Sequence, residues 1–77
     1  MVAVTVNLYA NLREYAGGAA SIELEIEPGR TIEEVVAGLG IPAEQTKIIF
    51  VDNRRADLGH ALQGGERLDL FSAIGGG

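Results

Sequence analysis

The chain has 77 residues, with 11 acidic against 6 basic side chains, one His, no Cys and a formal net charge of −5. That is one small domain with a thin stability margin, too short for a self-contained enzyme with its own cleft. A disulfide framework and Cys-ligated zinc or iron–sulfur sites are excluded, and the acidic balance argues against nucleic acid or an anionic membrane as the main partner.

Val2 to Tyr9 alternates with period two, Val2, Val4, Val6 and Leu8 on one side and Ala3, Thr5, Asn7 and Tyr9 on the other. The pattern and its β-branched content predict a half-buried strand. Ala10 to Ala16 has room for a short helical turn, and Gly17-Gly18 reverses the chain. Ser21 to Glu27 alternates again, with Ile22, Leu24 and Ile26 inward and Glu23, Glu25 and Glu27 outward. Pro28-Gly29 ends that strand. Thr31 with Glu34 reads as a capping box, and Ile32, Val35, Val36 and Leu39 then build one apolar helix face. Gly40 suits the left-handed position after the helix, and Pro42 stops it.

Lys47 to Val51 is a short apolar strand whose inward face the consecutive apolar residues leave undefined. Asp52-Asn53 forms a tight reversal into a short return strand at Arg55 and Ala56. Asp57 to Leu62 is loop or a single turn. Arg67 to Phe71 is the last strand, with Leu68 and Leu70 on one side and Asp69 and Phe71 on the other. One helix must cover one sheet face, and a right-handed crossover sets the later strands beside the first. The expectation is an α+β β-grasp (ubiquitin-like) roll, a mixed sheet of four to five strands with one main helix packed on one face. It comprises a domain over residues 1–71 and a flexible glycine-rich tail over residues 72–77. No basic leader and no run of roughly 20 apolar residues is visible, so the expected setting is cytoplasmic.

Most chemical candidates read as surface. Glu23, Glu25 and Glu27 lie along one strand face, about 7 Å between neighbours, and are explained by solvation and protection of a sheet edge. Glu33, Glu34 and Glu44 fit helix N-terminal preference and solvation. His60 has no catalytic partner nearby in sequence. Neither Gly17-Gly18 nor Gly64-Gly65 belongs to a phosphate-binding loop. No metal site is expected. Gly75-Gly76-Gly77 stands apart, because there is no chain left to turn. Such a run is either a frayed end or a tail thin enough to bring its carboxylate into a partner's active site; composition does not separate the two.

The whole chain resembles the ubiquitin-like sulfur carriers, the family of the molybdopterin synthase small subunit and the thiamine-biosynthesis sulfur carrier. The residues that carry the resemblance are Leu8-Tyr9-Ala10-Asn11-Leu12-Arg13-Glu14, Phe50-Val51-Asp52-Asn53, Leu62-Gln63-Gly64-Gly65-Glu66 and Leu70 through Gly77. The segment around Arg13-Glu14 and the overall length look more like the molybdopterin synthase subunit. Ser72-Ala73 stands where the family usually has a proline-containing step. The resemblance implies a carrier rather than an enzyme. An ATP-dependent activating enzyme adenylates the Gly77 carboxylate, and a sulfur donor converts it to a thiocarboxylate. Gly75 and Gly76 thread the tail into a synthase large subunit for molybdopterin or, alternatively, for thiamine thiazole. A ubiquitin-like protein modifier is a further alternative. No cofactor is bound by the chain itself; ATP and the sulfur donor serve the partner. The resemblance also places Tyr9, Arg55 and Phe71 on the partner-contact surface.

Overall fold

The computed structural model describes residues 1–72, with the backbone alone at Lys47. A five-stranded mixed sheet runs in the order β2-β1-β7-β4-β5. Strand β1 (Val2–Leu8) pairs antiparallel with β2 (Ser21–Ile26) and parallel with β7 (Arg67–Ser72). Strand β4 (Thr46–Val51) lies antiparallel to β7 and to β5 (Arg54–Ala56). The first and last strands are therefore central, as expected for the β-grasp roll.

The single α-helix among the described residues, α1 (Ile32–Gly38), covers one sheet face. Its entry is the predicted capping box. Thr31 Oγ1 accepts the Glu34 N–H at 3.3 Å, and the Glu34 carboxylate accepts the Thr31 N–H at 2.9 Å. That backbone bond, with Arg30 3.1 Å away, holds the Glu34 carboxyl below its ordinary pKa. Two turns carry too little helical stability alone, so the helix depends on burying Ile32, Val35 and Val36. Gly40 takes φ +79° after the helix, and Pro42 opens a single 3-10 turn at Ala43–Gln45.

The core lies between helix and sheet. Val4, Val6, Leu8, Leu68 and Leu70 are all within 1% of complete burial. Each such side chain contributes roughly 1.5–3 kcal/mol of transfer free energy. Ala10–Ala16 forms a 3-10 helix that closes one end with Leu12. Asp52 and Asn53 take φ +51° and +70°, the left-handed pair that a two-residue hairpin turn requires.

Two local readings need correction or completion. Residues 57–62 are not wholly loop: β6 (Ala61–Leu62) pairs antiparallel with β3 (Arg30–Thr31), forming a separate two-stranded ladder beside the helix start. On β4, a register irregularity between Thr46 and Ile48 sets the facing, so Ile49 and Val51 point inward while Ile48 and Phe50 point outward. The final strand extends one residue past Phe71, to Ser72, which pairs with Thr46. No helix among the described residues is long and apolar enough to cross a membrane.

Candidate functional site

The sheet face turned away from α1 is where the sequence-predicted contact residues fall. Alternation along the paired strands places Asn7, Asp69, Phe50 and Arg55 in one cross-strand row there. The neighbouring row holds Phe71 opposite Ile48. Tyr9 continues β1 on the same side, its N–H reaching the Leu70 carbonyl at 3.3 Å.

Three of the chain's four Tyr and Phe side chains meet at this spot. Tyr9 lies flat on Phe71, ring centroids 4.4 Å apart and planes 10° from parallel. Phe50 meets Phe71 edge-on at 5.8 Å and 85°. Both geometries are favoured by the ring quadrupole. Tyr9 is 36% exposed and Ile48 41%, so the cluster presents apolar surface to solvent. Large side chains left on a surface in this way are candidates for contact with another protein.

Tyr9 and Phe71 are thus brought into direct contact. Arg55 is not part of the ring cluster. It is exposed beside Phe50, two strands from Phe71, roughly 10 Å at ordinary strand spacing. Phe50 and Ile48 belong to the face but were not singled out from sequence, because the run of apolar residues in β4 hides which of them point outward. Gly75, Gly76 and Gly77 lie outside the described residues. β7 ends at Ser72, one residue after Phe71 and three before Gly75 in sequence.

Beneath the rings, the Asp69 carboxylate accepts Asn7 Nδ2–H at 2.8 Å and the Tyr9 hydroxyl at 3.4 Å, with Arg67 Nε 3.6 Å from its second oxygen. Arg67 also donates to Asn53 Oδ1. Elsewhere, His60 is exposed on a loop whose carbonyl accepts the Ile32 N–H at 3.0 Å. No group of three His, Asp or Glu residues among those described is placed to hold a metal ion. What the face offers is contact: a ring platform with Arg55 exposed at its side and the Arg67–Asp69 pair beneath it.

Comparison with protein families matches residues 6–77 to the ThiS family. The chain belongs to the ThiS family. No curated protein sequence matches it. Among solved structures, this ThiS-family chain is similar to small archaeal modifier protein 1 of H. volcanii, with a TM-score of 0.75 at 20% identity, covering 96% of this chain and all of that one. A chain of the BexX/CysO complex of Amycolatopsis orientalis matches with a TM-score of 0.65 at 25% identity, covering 96% and 99%. A chain in the complex of subunits 1 and 2 of the molybdopterin-converting factor of Helicobacter pylori matches with a TM-score of 0.59 at 14% identity, covering 99% and 100%. The fold is that of the ubiquitin-like sulfur carriers and modifiers.

Proposed function

We propose that this ThiS-family protein carries sulfur as a thiocarboxylate on Gly77, acting as the small subunit of a molybdopterin synthase. The observation that carries the reading is the apolar ring platform of Tyr9, Phe71 and Phe50, at the foot of a chain end whose family match runs through Gly77. A carboxylate is a poor electrophile. An activating partner joins it to AMP from ATP, releasing pyrophosphate, and the mixed anhydride then has a good leaving group. A sulfur donor displaces AMP and leaves sulfur at the terminus. The tethered sulfur reacts inside the synthase as a near-intramolecular nucleophile. Acid and base catalysis belong to the partners. The carrier's own contribution is docking, with Tyr9, Phe71 and Arg55 on the contact face and Gly75-Gly76 narrow enough to enter a channel.

Intact-mass measurement after incubation with activating enzyme, ATP and a sulfur donor tests this directly. The expected product has the mass of one oxygen replaced by sulfur, and deletion of Gly76-Gly77, which removes the terminal Gly-Gly, yields none. An unchanged mass overturns the carrier reading. Co-purification with a thiazole synthase rather than a molybdopterin synthase large subunit would redirect the sulfur to thiamine. The fold likeness to small archaeal modifier protein 1 keeps a modifier reading in view. That reading requires isopeptide-linked adducts in cell extracts. Lys47, the single lysine of the sequence, offers little scope for chain building on the protein itself.

A further inference from the structure

We propose that Asp69 is a positioning residue of the docking face: it ties down the Tyr9 hydroxyl and holds that ring flat on Phe71. The partner therefore meets ring carbon rather than a phenol donor. The inference rests on the carrier reading for its kinetic test, though not for its structural one.

Among the described residues α1 lies on the opposite side of the sheet from Asp69, and strand alternation alone would leave the carboxylate in water. It is instead only 6% exposed. A buried carboxylate is tolerated where hydrogen bonds and a counter-charge replace its hydration. Each replacement here comes from a residue placed by the fold. Asn7 is set opposite Asp69 by the parallel β1–β7 register and donates at 2.8 Å. Arg67, two residues earlier on the same strand, approaches to 3.6 Å and is steadied by Asn53 of the β4–β5 turn. The remaining donor is the Tyr9 hydroxyl at 3.4 Å. Asn7 and Arg67 hold the carboxylate, and the carboxylate holds the phenol.

The face of the Tyr9 ring is held by the Phe71 stack at 4.4 Å. One contact at the hydroxyl and one on the ring face leave a side chain with two torsions little freedom, so the ordering cost of docking is met before the partner arrives. The hydroxyl is also turned toward the Asp69 carboxylate, 3.4 Å away. The complementary surface is therefore apolar at its centre, built from aliphatic or aromatic side chains. At its side it carries a carboxylate for Arg55, which has no ion pair among the described residues.

The test uses the full-length protein with Asp69→Ala, Asp69→Asn, Tyr9→Phe and the Asp69→Ala/Tyr9→Phe double variant. Folding is checked by far-ultraviolet circular dichroism. Asp69→Ala is expected to raise the KM for loading by the activating enzyme about three- to ten-fold, with kcat unchanged, the scale of one lost hydrogen bond. Asp69→Asn keeps an acceptor oxygen for the phenol and stays within about two-fold of the wild type. Tyr9→Phe raises KM as Asp69→Ala does, and the double variant adds nothing further, because both remove the same tie. An unchanged KM in Asp69→Ala, or additive effects in the double variant, overturns the proposal. If the unaltered protein cannot be loaded at all, the carrier reading fails. The Asp69 tie is then judged by proton NMR contacts between the Tyr9 and Phe71 rings. Contacts kept in Asp69→Asn and lost in Asp69→Ala support it; contacts kept in both overturn it.

Discussion

At Gly64 the backbone takes φ +125°, and a Cβ built there would stand 2.7 Å from Cβ of Val2. Both conditions require glycine, one through strain and the other through overlap. Gly64→Ala should therefore lower stability by about 1–3 kcal/mol, measured by chemical denaturation against the wild type. The same reversal is held by Glu66, whose carboxylate accepts the N–H groups of Gln63 at 2.7 Å and Gly64 at 2.6 Å. Burial works to raise the Glu66 pKa, but these donors outweigh it and hold the group below its ordinary value. Its contribution is fully present above the unfolded-state pKa, about 4.3, and is lost as pH falls through the lower folded value. Glu66→Gln should cost about 0.5–1.5 kcal/mol at neutral pH and flatten the stability loss below pH of about 4, read from urea titrations across that range. In sequence, Gly64-Gly65 is recognisable as a turn. That its first glycine is compelled by Val2, over sixty residues away, depends on a contact no local pattern encodes. Asp69 is opaque for the same reason. Alternation gives its side of the strand correctly, while its burial comes from Tyr9, Asn7 and Arg67 closing over it.

Among the elements, α1 shows how local signals and tertiary packing divide the work. Its start is written in Thr31 and Glu34, its stop in Gly40 and Pro42, and its face in Ile32, Val35 and Val36, so it was legible in full. Thr31→Ala removes the side-chain acceptor of the cap and should lower the thermal midpoint by about 4–8 °C, the effect of about 1 kcal/mol in a domain of this size. The β3–β6 ladder was illegible because two-residue strands have no period to detect. It forms because the helix start and the loop before Gln63 are brought together, with Leu62 fully buried between them. Strand β4 lies between these cases. Its existence is plain from Lys47 to Val51, but its facing is decided by the register irregularity before Ile48. That irregularity turns Ile48 and Phe50 toward the docking face and adds them to Tyr9 and Phe71.

For the whole molecule, charge is unevenly distributed across the sheet side that carries the ring cluster. Glu23 and Glu25 stand at the β2 edge, the Arg67–Asp69 pair is balanced in the middle, and Arg55 stands at the β5 edge. Such a gradient orients an approaching partner and acts mainly on the association rate. Arg55→Glu should slow association with the activating enzyme several-fold at low salt while leaving dissociation nearly unchanged. Stopped-flow measurements in rising salt should show the difference shrink. The position of β7 has a mechanical consequence as well. It lies between β1, which pairs with it from Arg67 to Leu70, and β4, which pairs with it from Leu68 to Ser72, so traction transmitted through Ser72 is resisted by two ladders rather than one. Under the proposed function, a pull transmitted through Ser72 is shared across the centre of the sheet instead of being spent on unravelling it.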